Sequence, residues 1–181
     1  MDLEILKIAS NTDNHKVLNN HTHHSKLKNP ICGDEMQVNV KVVKDNIVDF
    51  GSGAGFQGLI IAFYNENKRS HVKLYEKSPV KRAFLRNIRE KLDIRNLDIA
   101  NDVYGDGILA DIIVCRAFKK LEEILKISRE TVKKPHKLII LKGKNAQSEI
   151  NNVSLGSNYS YKLENSITDS DSKIIIVDFK K

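Results

Sequence analysis

The sequence predicts an α/β fold of the Rossmann-like type over residues 46–181, with a mostly parallel, seven-stranded sheet covered by helices on both faces. Two observations support this prediction. From residue 46 onward, short apolar runs that suit buried strands alternate with longer segments of helical periodicity. Four glycines also separate the first strand from the helical segment after it, which is typical of ligand-binding turns in doubly wound sheets.

The glycine turn lies within the string N-I-V-D-F-G-S-G-A-G-F-Q-G at residues 46–58. Ile47–Phe50 is the predicted strand, and Leu59–Phe63 begins the predicted helix. Glycine has no Cβ, so a ligand can approach the backbone closely, and the start of a helix presents free N–H groups. The turn therefore predicts a ligand site at the end of a central strand.

The spacing of the glycines is compatible with two classes of cofactor. One interpretation is the dinucleotide pattern G-x-G-x-x-G, formed by Gly53, Gly55 and Gly58. That pattern should begin at the end of the strand, however, and the first glycine here is Gly51. The other interpretation is an acidic residue at the strand end, Asp49, followed by G-x-G-x-G.

The second interpretation resembles the first motif of class I S-adenosylmethionine-dependent methyltransferases. The longer string D-F-G-S-G-A-G-F-x-G is similar to the family of small-subunit rRNA guanine-N7 methyltransferases called RsmG or GidB. Members typically carry proline where this chain has Gln57. The resemblance extends over roughly residues 46–181. It implies S-adenosyl-L-methionine as the cofactor and N7 of a guanine in 16S rRNA as the acceptor.

The second predicted strand, His71–Tyr75, is followed by Glu76, which lies 18 residues after Gly58. Both cofactor classes place a carboxylate at this point to accept hydrogen bonds from the ribose hydroxyls. Ser78 and Pro79 then supply an N-cap and a first-turn proline for a helix.

This helix has an apolar stripe that we expect to be buried: Val80, Phe84, Leu85, Ile88 and Leu92. Its other face carries basic residues, which suit either simple solvation or phosphate binding: Lys81, Arg82, Arg86, Arg89 and Lys91.

After the third predicted strand, Leu97–Ala100, the chain departs from the family pattern. Members usually carry an R-x-E element that contacts the adenine, whereas this chain reads N-D-V-Y-G-D at residues 101–106. Asp102 or Tyr104 is the candidate for lining an adenine pocket in its place, by hydrogen bonding or stacking.

Asp111–Cys115 is a predicted buried strand and is followed by Arg116, Ala117 and Phe118. A cation at the carboxyl end of a central parallel strand lies in the crevice where such sheets bind ligands. In the RsmG family an R-A-F sequence at this point closes the cofactor site, with the arginine near the methyl donor and the substrate base. A structural ion pair is the alternative role for Arg116.

The rest of the chain completes the sheet. A helix is predicted over Leu121–Val132, and the next strand, Lys137–Leu141, leads into an L-K-G string that again resembles the family. Lys142 and Lys144 are predicted to contact RNA phosphates. An antiparallel pair closes the sheet, formed by Tyr159–Ile167 and Ile174–Phe179.

The resemblance implies a set of cofactor contacts: Asp49, Gly51, Gly53, Gly55, Phe56, Glu76, Tyr104 and Arg116. On the substrate side it implies Arg116, Lys142 and Lys144. Guanine N7 carries a lone pair and no proton, so we expect no general base and no acid–base catalytic residue. The protein instead has to hold donor and acceptor in line and exclude water.

Residues 1–45 differ from the rest and are predicted to be a separate, partly disordered fragment, with a solvated His-rich loop at Asn11–Asn29 and a strand at Met36–Val42. The string N-P-I-C-G-D-E-M-Q-V-N-V-K-V is similar to the N-terminal part of iron–sulfur scaffold proteins of the IscU/NifU type. In those proteins the C-G-D cysteine, Cys32 here, ligates the cluster. A cluster needs about four ligands, so we expect a metal at Cys32 only if the scaffold interpretation holds. A strand has two edges, so Met36–Val42 is expected to lie off Ile47–Phe50.

The composition sets broader limits. A chain of 181 residues with a formal net charge of +7 allows one α/β domain and favours a polyanionic partner, such as 16S rRNA or the small ribosomal subunit. We expect no membrane span and no secretory signal. Two distant cysteines suit the cytoplasm, and the chain is expected to act as a monomer. Three alternatives stay open, namely an iron–sulfur assembly fragment, a cofactor- or RNA-binding protein without turnover, and a nicotinamide enzyme.

Overall fold

The computed structural model of the chain describes residues 23–28, 35–40, 46–65, 70–104, 107–153, 159–166 and 171–180, the first two segments by their backbone alone. These residues form two sheets, one of two strands and one of seven. Within the described ranges, no helix is long and apolar enough to cross a membrane.

The bounds of the strands and helices agree with most of the sequence predictions to within two residues. The strands are β1 (His23–Lys28), β2 (Glu35–Val40), β3 (Asn46–Phe50), β4 (His71–Tyr75), β5 (Leu97–Ala100), β6 (Ile112–Arg116), β7 (His136–Lys142), β8 (Tyr159–Asn165) and β9 (Lys173–Phe179). The helices are α1 (Gly58–Tyr64), α2 (Pro79–Lys91), α3 (Leu121–Thr131) and α4 (Ala146–Asn151). Helix α4 was not predicted, because its six residues are too few to show an apolar period.

The seven-stranded sheet has the order β5-β4-β3-β6-β7-β9-β8. The first five strands in this order are parallel, and β9 pairs antiparallel with both β7 and β8. The predicted fold class is therefore confirmed, including the closing antiparallel pair. Strand β3 lies in the interior of the sheet between β4 and β6. The next two strands in the chain, β4 and β5, lie on one side of β3, and β6 and β7 lie on its other side. A crevice forms at the carboxyl ends of the strands where the order reverses in this way.

Helices cover both faces of the sheet, as predicted. Alternate side chains of β3 point to opposite faces because a strand has a period of two. Ile47 belongs to a cluster on one face with Leu85 of α2 and residues of β4 and β5. Phe50 belongs to the cluster on the other face, together with Ile124 of α3 and Ile150 of α4. Strand β3 is consequently buried on both sides and fixes the position of the turn that follows it.

Helix α2 corrects one prediction. Ser78 caps it as predicted, since Oγ accepts a hydrogen bond from the backbone N–H of Lys81 at 3.4 Å. Only Leu85 of the expected apolar stripe is fully buried, however, whereas Val80 is 79% exposed and Phe84 is 50% exposed. The prediction of a buried stripe is therefore wrong for Val80, Phe84 and Leu92, because the helical period shows which residues share a face and not how deeply each is buried.

The N-terminal strands β1 and β2 form an antiparallel pair of their own. The strand predicted at Met36–Val42 is thus confirmed over most of its length, and it does not pair with β3. The predicted loop at Asn11–Asn29 is wrong for residues 23–28, because backbone pairing with β2 gives this polar segment a strand conformation. Cys32 lies outside the described residues, and the predicted division of the chain at residue 45 stays a prediction.

A buried histidine connects α3 to β7. Nε2 of His136 lies 2.6 Å from Oγ of Ser128, and Nδ1 lies 2.8 Å from the carbonyl oxygen of Lys134. The His136 ring also stacks on Phe179, with 4.2 Å between centroids. Burial lowers the pKa of His136 below its ordinary value of 6.5.

The lowered pKa makes stability depend on pH in a known direction. As the pH falls, His136 is protonated in the unfolded chain at a higher pH than in the folded chain. The free energy of unfolding therefore falls as the pH falls below about 6.5. The double variant Ser128→Ala/His136→Phe replaces both partners by apolar groups and removes this proton. We expect the slope of its free energy of unfolding against pH to be smaller than that of the natural chain, by up to about 1.4 kcal/mol per pH unit. Urea denaturation at pH 5, 6 and 7 measures this, and identical pH profiles for both proteins would contradict it.

Candidate functional site

A cavity of about 790 Å³ opens at the carboxyl ends of the central strands. Four segments form its wall, and each follows a different parallel strand: the glycine turn after β3, residues 75–81 after β4, residues 101–104 after β5 and residues 116–119 after β6. The volume is within the usual range for small-molecule sites, about 300–1,000 Å³. The structure therefore places a ligand-sized cavity where the sequence predicted one.

The glycine turn is folded back onto the end of β4. The backbone N–H groups of Gly51 and Ser52 both donate to the carbonyl oxygen of Tyr75, at 2.9 and 3.0 Å. Gly51, Gly53 and Gly55 have φ angles of +70°, +58° and +82°. A left-handed backbone of this kind favours glycine because other L-residues pay a steric penalty there.

The turn glycines differ in what surrounds them. A Cβ added to Gly53 would meet only the carbonyl oxygen of Gly51, at 3.9 Å, so this position opens to the cavity. A Cβ at Gly55 would overlap the side chain of Leu85, and one at Gly58 would overlap Leu74. Gly53 therefore lies in the wall, as predicted, whereas Gly55 serves the packing of α2 and does not line the cavity.

Glu76 lies in the wall and is tied to two backbone segments. Its Oε2 accepts a hydrogen bond from the N–H of Gly53, and its Oε1 accepts one from the N–H of Ser78, both at 2.8 Å. The residue is 8% exposed. Nη1 of Arg82 donates to the carbonyl oxygen of Glu76 at 2.8 Å and to Oδ1 of Asn101 at 2.6 Å. The carboxylate is thus held in a fixed position between the glycine turn and the start of α2.

Asp49 lies behind the wall and not in it. It is 1% exposed, and Oδ2 accepts a hydrogen bond from the N–H of Gly58 at 3.0 Å. Among the described residues, its Oδ1 has no hydrogen-bond partner. Burial raises the pKa of Asp49 to about 7, the Gly58 hydrogen bond opposes this rise, and the charge of Glu76 adds to it. The structure therefore assigns Asp49 to the support of the turn, although it was predicted as a cofactor contact.

The Arg116-Ala117-Phe118 segment lies at the end of β6 and forms another part of the cavity wall. Ala117 has a φ of +49°, which is unusual for a residue with a Cβ, and strained residues of this kind cluster at functional sites. The ring of Phe118 occupies the space that a Cβ of Gly51 would need, and it lies 5.8 Å from the ring of Phe50. The two predicted motifs are therefore in direct contact, since one needs a glycine in order to accommodate the other.

Two predicted RNA contacts are not part of this wall. Nζ of Lys142 donates to the carbonyl oxygen of Lys119 at 2.7 Å and pairs with Oε2 of Glu149 at 2.8 Å. Its side chain is 13% exposed. Glu149 lies on α4, which the sequence did not predict, so this ion pair could not be foreseen. Lys144 lies in the exposed turn after β7 and does not line the cavity.

The structure brings most predicted site residues together and adds some that were not in the predicted set. The predicted wall residues are Gly51, Gly53, Phe56, Glu76, Tyr104 and Arg116. Asp102, the alternative to Tyr104, also lies in the wall, and the additions include Gln57, Lys77, Lys81, Asn101, Ala117 and Lys119. All of these follow the carboxyl end of a parallel strand, and this position is the sequence signal that could have identified them.

Comparisons with known proteins agree with this geometry. The family model for GidB, described as rRNA small subunit methyltransferase G, matches residues 7–174. A ribosomal RNA small subunit methyltransferase G of Orientia tsutsugamushi is 38% identical over 135 residues, which cover 73% of this chain and 65% of that protein. One of Pelagibacter ubique is 30% identical over 132 residues, covering 71% of this chain and 62% of that protein. The chain thus spans slightly less than two thirds of the length of these relatives.

A solved structure shares the fold. A SAM-dependent methyltransferase from Aquifex aeolicus superposes with a TM-score of 0.57 at 11% identity, covering 76% of this chain and 82% of that one. The family match begins at residue 7 and so includes most of the segment likened to iron–sulfur scaffolds. These comparisons give no support to that second resemblance.

The two glycines with different surroundings provide a matched pair of substitutions. Alanine at Gly53 or Gly55 carries a similar penalty for its positive φ, roughly 1–2 kcal/mol. Only Gly55→Ala also forces its methyl group into Leu85. We expect Gly55→Ala to lower the free energy of unfolding by a further 1–3 kcal/mol, roughly, compared with Gly53→Ala. Urea denaturation of both variants measures the difference, and equal losses would contradict the assigned packing role.

The buried carboxyl of Asp49 gives a second prediction, opposite in sign to that for His136. Between about pH 4 and 7 the folded chain keeps a proton at Asp49 that the unfolded chain has lost, so stability falls as the pH rises. Asp49→Asn cannot titrate, and its side-chain oxygen can still accept from the N–H of Gly58. We expect the variant to gain stability relative to the natural chain by up to about 1.4 kcal/mol per pH unit over this range. Exposed Glu122→Gln is the control, and parallel curves for Asp49→Asn and the natural chain would refute the assignment.

Proposed function

We propose that this chain, which belongs to the rRNA small subunit methyltransferase G family (GidB), transfers a methyl group from S-adenosylmethionine to N7 of a guanine in 16S rRNA. The observation that carries the proposal is the cavity at the carboxyl ends of β3, β4 and β6. There the open backbone of Gly53 and the fixed carboxylate of Glu76 face the same space. This geometry suits an adenosyl group, because a ring of the group can lie close to Gly53 while its ribose hydroxyls reach Glu76.

The residues of the wall fit the cofactor in two ways. A Cβ at Gly53 would occupy part of the cavity, and its absence leaves room beside the turn. Each carboxylate oxygen of Glu76 accepts one hydrogen bond from a backbone N–H, and a carboxylate can accept about four hydrogen bonds in total. The remaining positions can accept hydrogen bonds from both ribose hydroxyls without breaking the existing ones. Tyr104, which is 59% exposed, is the candidate for contact with the adenine.

The chemistry requires orientation more than proton transfer. When bound, the cofactor supplies an activated methyl group, so the protein need not provide a nucleophile. The acceptor nitrogen has a lone pair and no proton. None of the wall residues named above is a histidine or a cysteine, and Cys115 is buried with a pKa raised by burial. The role left to Arg116 and Phe118 is to position the acceptor base and to exclude water.

The partners follow from the same proposal. A net charge of +7 favours binding to 16S rRNA or to the small ribosomal subunit, and we infer that the protein acts in the cytoplasm as a monomer. The iron–sulfur scaffold alternative is not favoured, because the family match extends across residues 7–45.

Two measurements test the proposal. Isothermal titration calorimetry with S-adenosylmethionine should show one site per chain. Incubation with S-adenosylmethionine and 16S rRNA lacking the modification should then yield 7-methylguanosine, detected by mass spectrometry of the digested RNA. A chain that binds the cofactor without yielding 7-methylguanosine would instead favour a binding protein without turnover.

The role of Glu76 is tested by two substitutions. Glu76→Ala removes the charge-assisted hydrogen bonds to the ribose, worth roughly 1.5–3 kcal/mol in total, so the affinity for S-adenosylmethionine should fall about ten- to a hundredfold. Glu76→Gln keeps one acceptor oxygen and should lose less. Glu122→Gln, at an exposed site, should bind normally. Because Glu76 also binds the N–H groups of Gly53 and Ser78, the stability of each variant is measured alongside. Unchanged cofactor affinity in Glu76→Ala would discard this assignment.

A further inference from the structure

Two exposed lysines of the cavity wall form no ion pair with any of the described residues. Lys77 and Lys81 line the cavity directly beside Glu76 and are exposed. Within the described part of the chain, neither ammonium group makes an ion pair or a side-chain hydrogen bond. The third wall lysine, Lys119, differs because it pairs with Glu123. Lys77 and Lys81 are therefore available for an anion brought by a ligand.

The proposed cofactor is not that anion. S-adenosylmethionine carries a sulfonium, an ammonium and one carboxylate, so it is positive overall and has no phosphate. Its ribose is already matched to Glu76, next to these lysines. The cofactor therefore offers no phosphate to the two cations beside its proposed ribose ligand. An RNA backbone, in contrast, brings one phosphate per nucleotide and is attracted to lysines in just this way.

An exposed aromatic ring continues the same surface. Phe84 is three residues after Lys81, so their side chains are neighbours on α2, and the ring is 50% exposed. Lysines that follow a backbone together with exposed rings on which bases stack are the features that bind single-stranded nucleic acids. This arrangement gives a physical reason for an apolar residue that the fold leaves in solvent.

The target atom points to the same class of substrate. Guanine N7 lies on the major-groove edge of a base pair. In an RNA helix that groove is deep and narrow, and side chains cannot reach into it. A guanine must therefore leave the helix, or be unpaired from the start, before its N7 can approach a cavity at the end of a sheet.

We propose that Lys77, Lys81 and Phe84 form a rim that binds single-stranded RNA, with phosphates next to the target guanosine on the two lysines and a neighbouring base stacked on the ring. The inference rests on the proposed function and specifies its substrate as an unpaired guanosine. It places the RNA along the start of α2, and the buried ion pair of Lys142 keeps that residue out of the contact.

The experiment measures binding of a labelled RNA hairpin with guanosines in its loop, by fluorescence anisotropy with S-adenosylhomocysteine present so that no methyl transfer occurs. The variant is Lys77→Gln/Lys81→Gln. The control, Lys126→Gln/Lys133→Gln, removes the same charge from exposed lysines on and after α3. Losing two phosphate contacts should reduce the slope of log affinity against log salt by about 1.4 and weaken binding about tenfold at 0.15 M salt. The control should change neither quantity by as much.

Two further comparisons separate stacking and base pairing from charge. Phe84→Ala should weaken hairpin binding about five- to a hundredfold without changing the salt slope, and Phe84→Tyr should restore it, because stacking contributes roughly 1–3 kcal/mol per base. A duplex in which the same guanosines are paired should bind more weakly than the hairpin.

The possible failures are distinguishable. If the natural chain binds S-adenosylmethionine and the hairpin, but the lysine variant behaves like its control or the duplex binds as well as the hairpin, the rim is refuted and the proposed function stands. The rim is also refuted if the cofactor binds and the hairpin does not. If the natural chain fails to bind S-adenosylmethionine, the proposed function itself is wrong.

Discussion

The pair of hydrogen bonds from Gly51 and Ser52 to the carbonyl oxygen of Tyr75 is the contact on which the site depends. These bonds join the ends of two neighbouring parallel strands and turn the chain sharply at a positive φ. The turn then leaves Gly53 open to the cavity and brings its N–H to Glu76. Because one carbonyl accepts both N–H groups, the ends of β3 and β4 cannot move independently. The position of the carboxylate is set by backbone geometry and not by side-chain flexibility.

Two acidic side chains accept hydrogen bonds from this turn, and their environments differ. Glu76 accepts two backbone N–H groups and opens to the cavity, so its charge is available to a ligand. Asp49 accepts one N–H and is enclosed, and its pKa is raised to about 7 by burial. An acidic residue at the strand end therefore signals the architecture of the turn, whereas the residue after the second strand is the one placed for recognition. The sequence pattern contained both acids but could not separate these roles, because the burial of a side chain depends on contacts with residues distant in the chain.

Much of the fold could be predicted because its signals are local. The apolar run at Ile47–Phe50, the glycines after it and the capped start of α2 each determine their own conformation with little help from the rest of the chain. Features that depend on tertiary contacts were either not predicted or predicted wrongly. The ion pair of Lys142 requires a short helix with no apolar period, and the exposure of Phe84 depends on how far α2 lies from the sheet. Strand β1 was read as a loop, because pairing with β2 and not side-chain hydrophobicity makes it a strand.

The start of α2 connects the two halves of the proposed reaction. Ser78 caps the helix and donates its N–H to Glu76, and Arg82 joins the carbonyl oxygen of Glu76 to Asn101 after β5. Lys81 lies between these two residues in the first turn of the helix, so its backbone is held by the same contacts that hold the proposed ribose ligand. An RNA phosphate bound to Lys81 would therefore lie within one side-chain length of the segment that holds the proposed ribose ligand. In-line methyl transfer needs donor and acceptor in a defined relative position, and one rigid segment that contacts both supplies it without a separate closing movement.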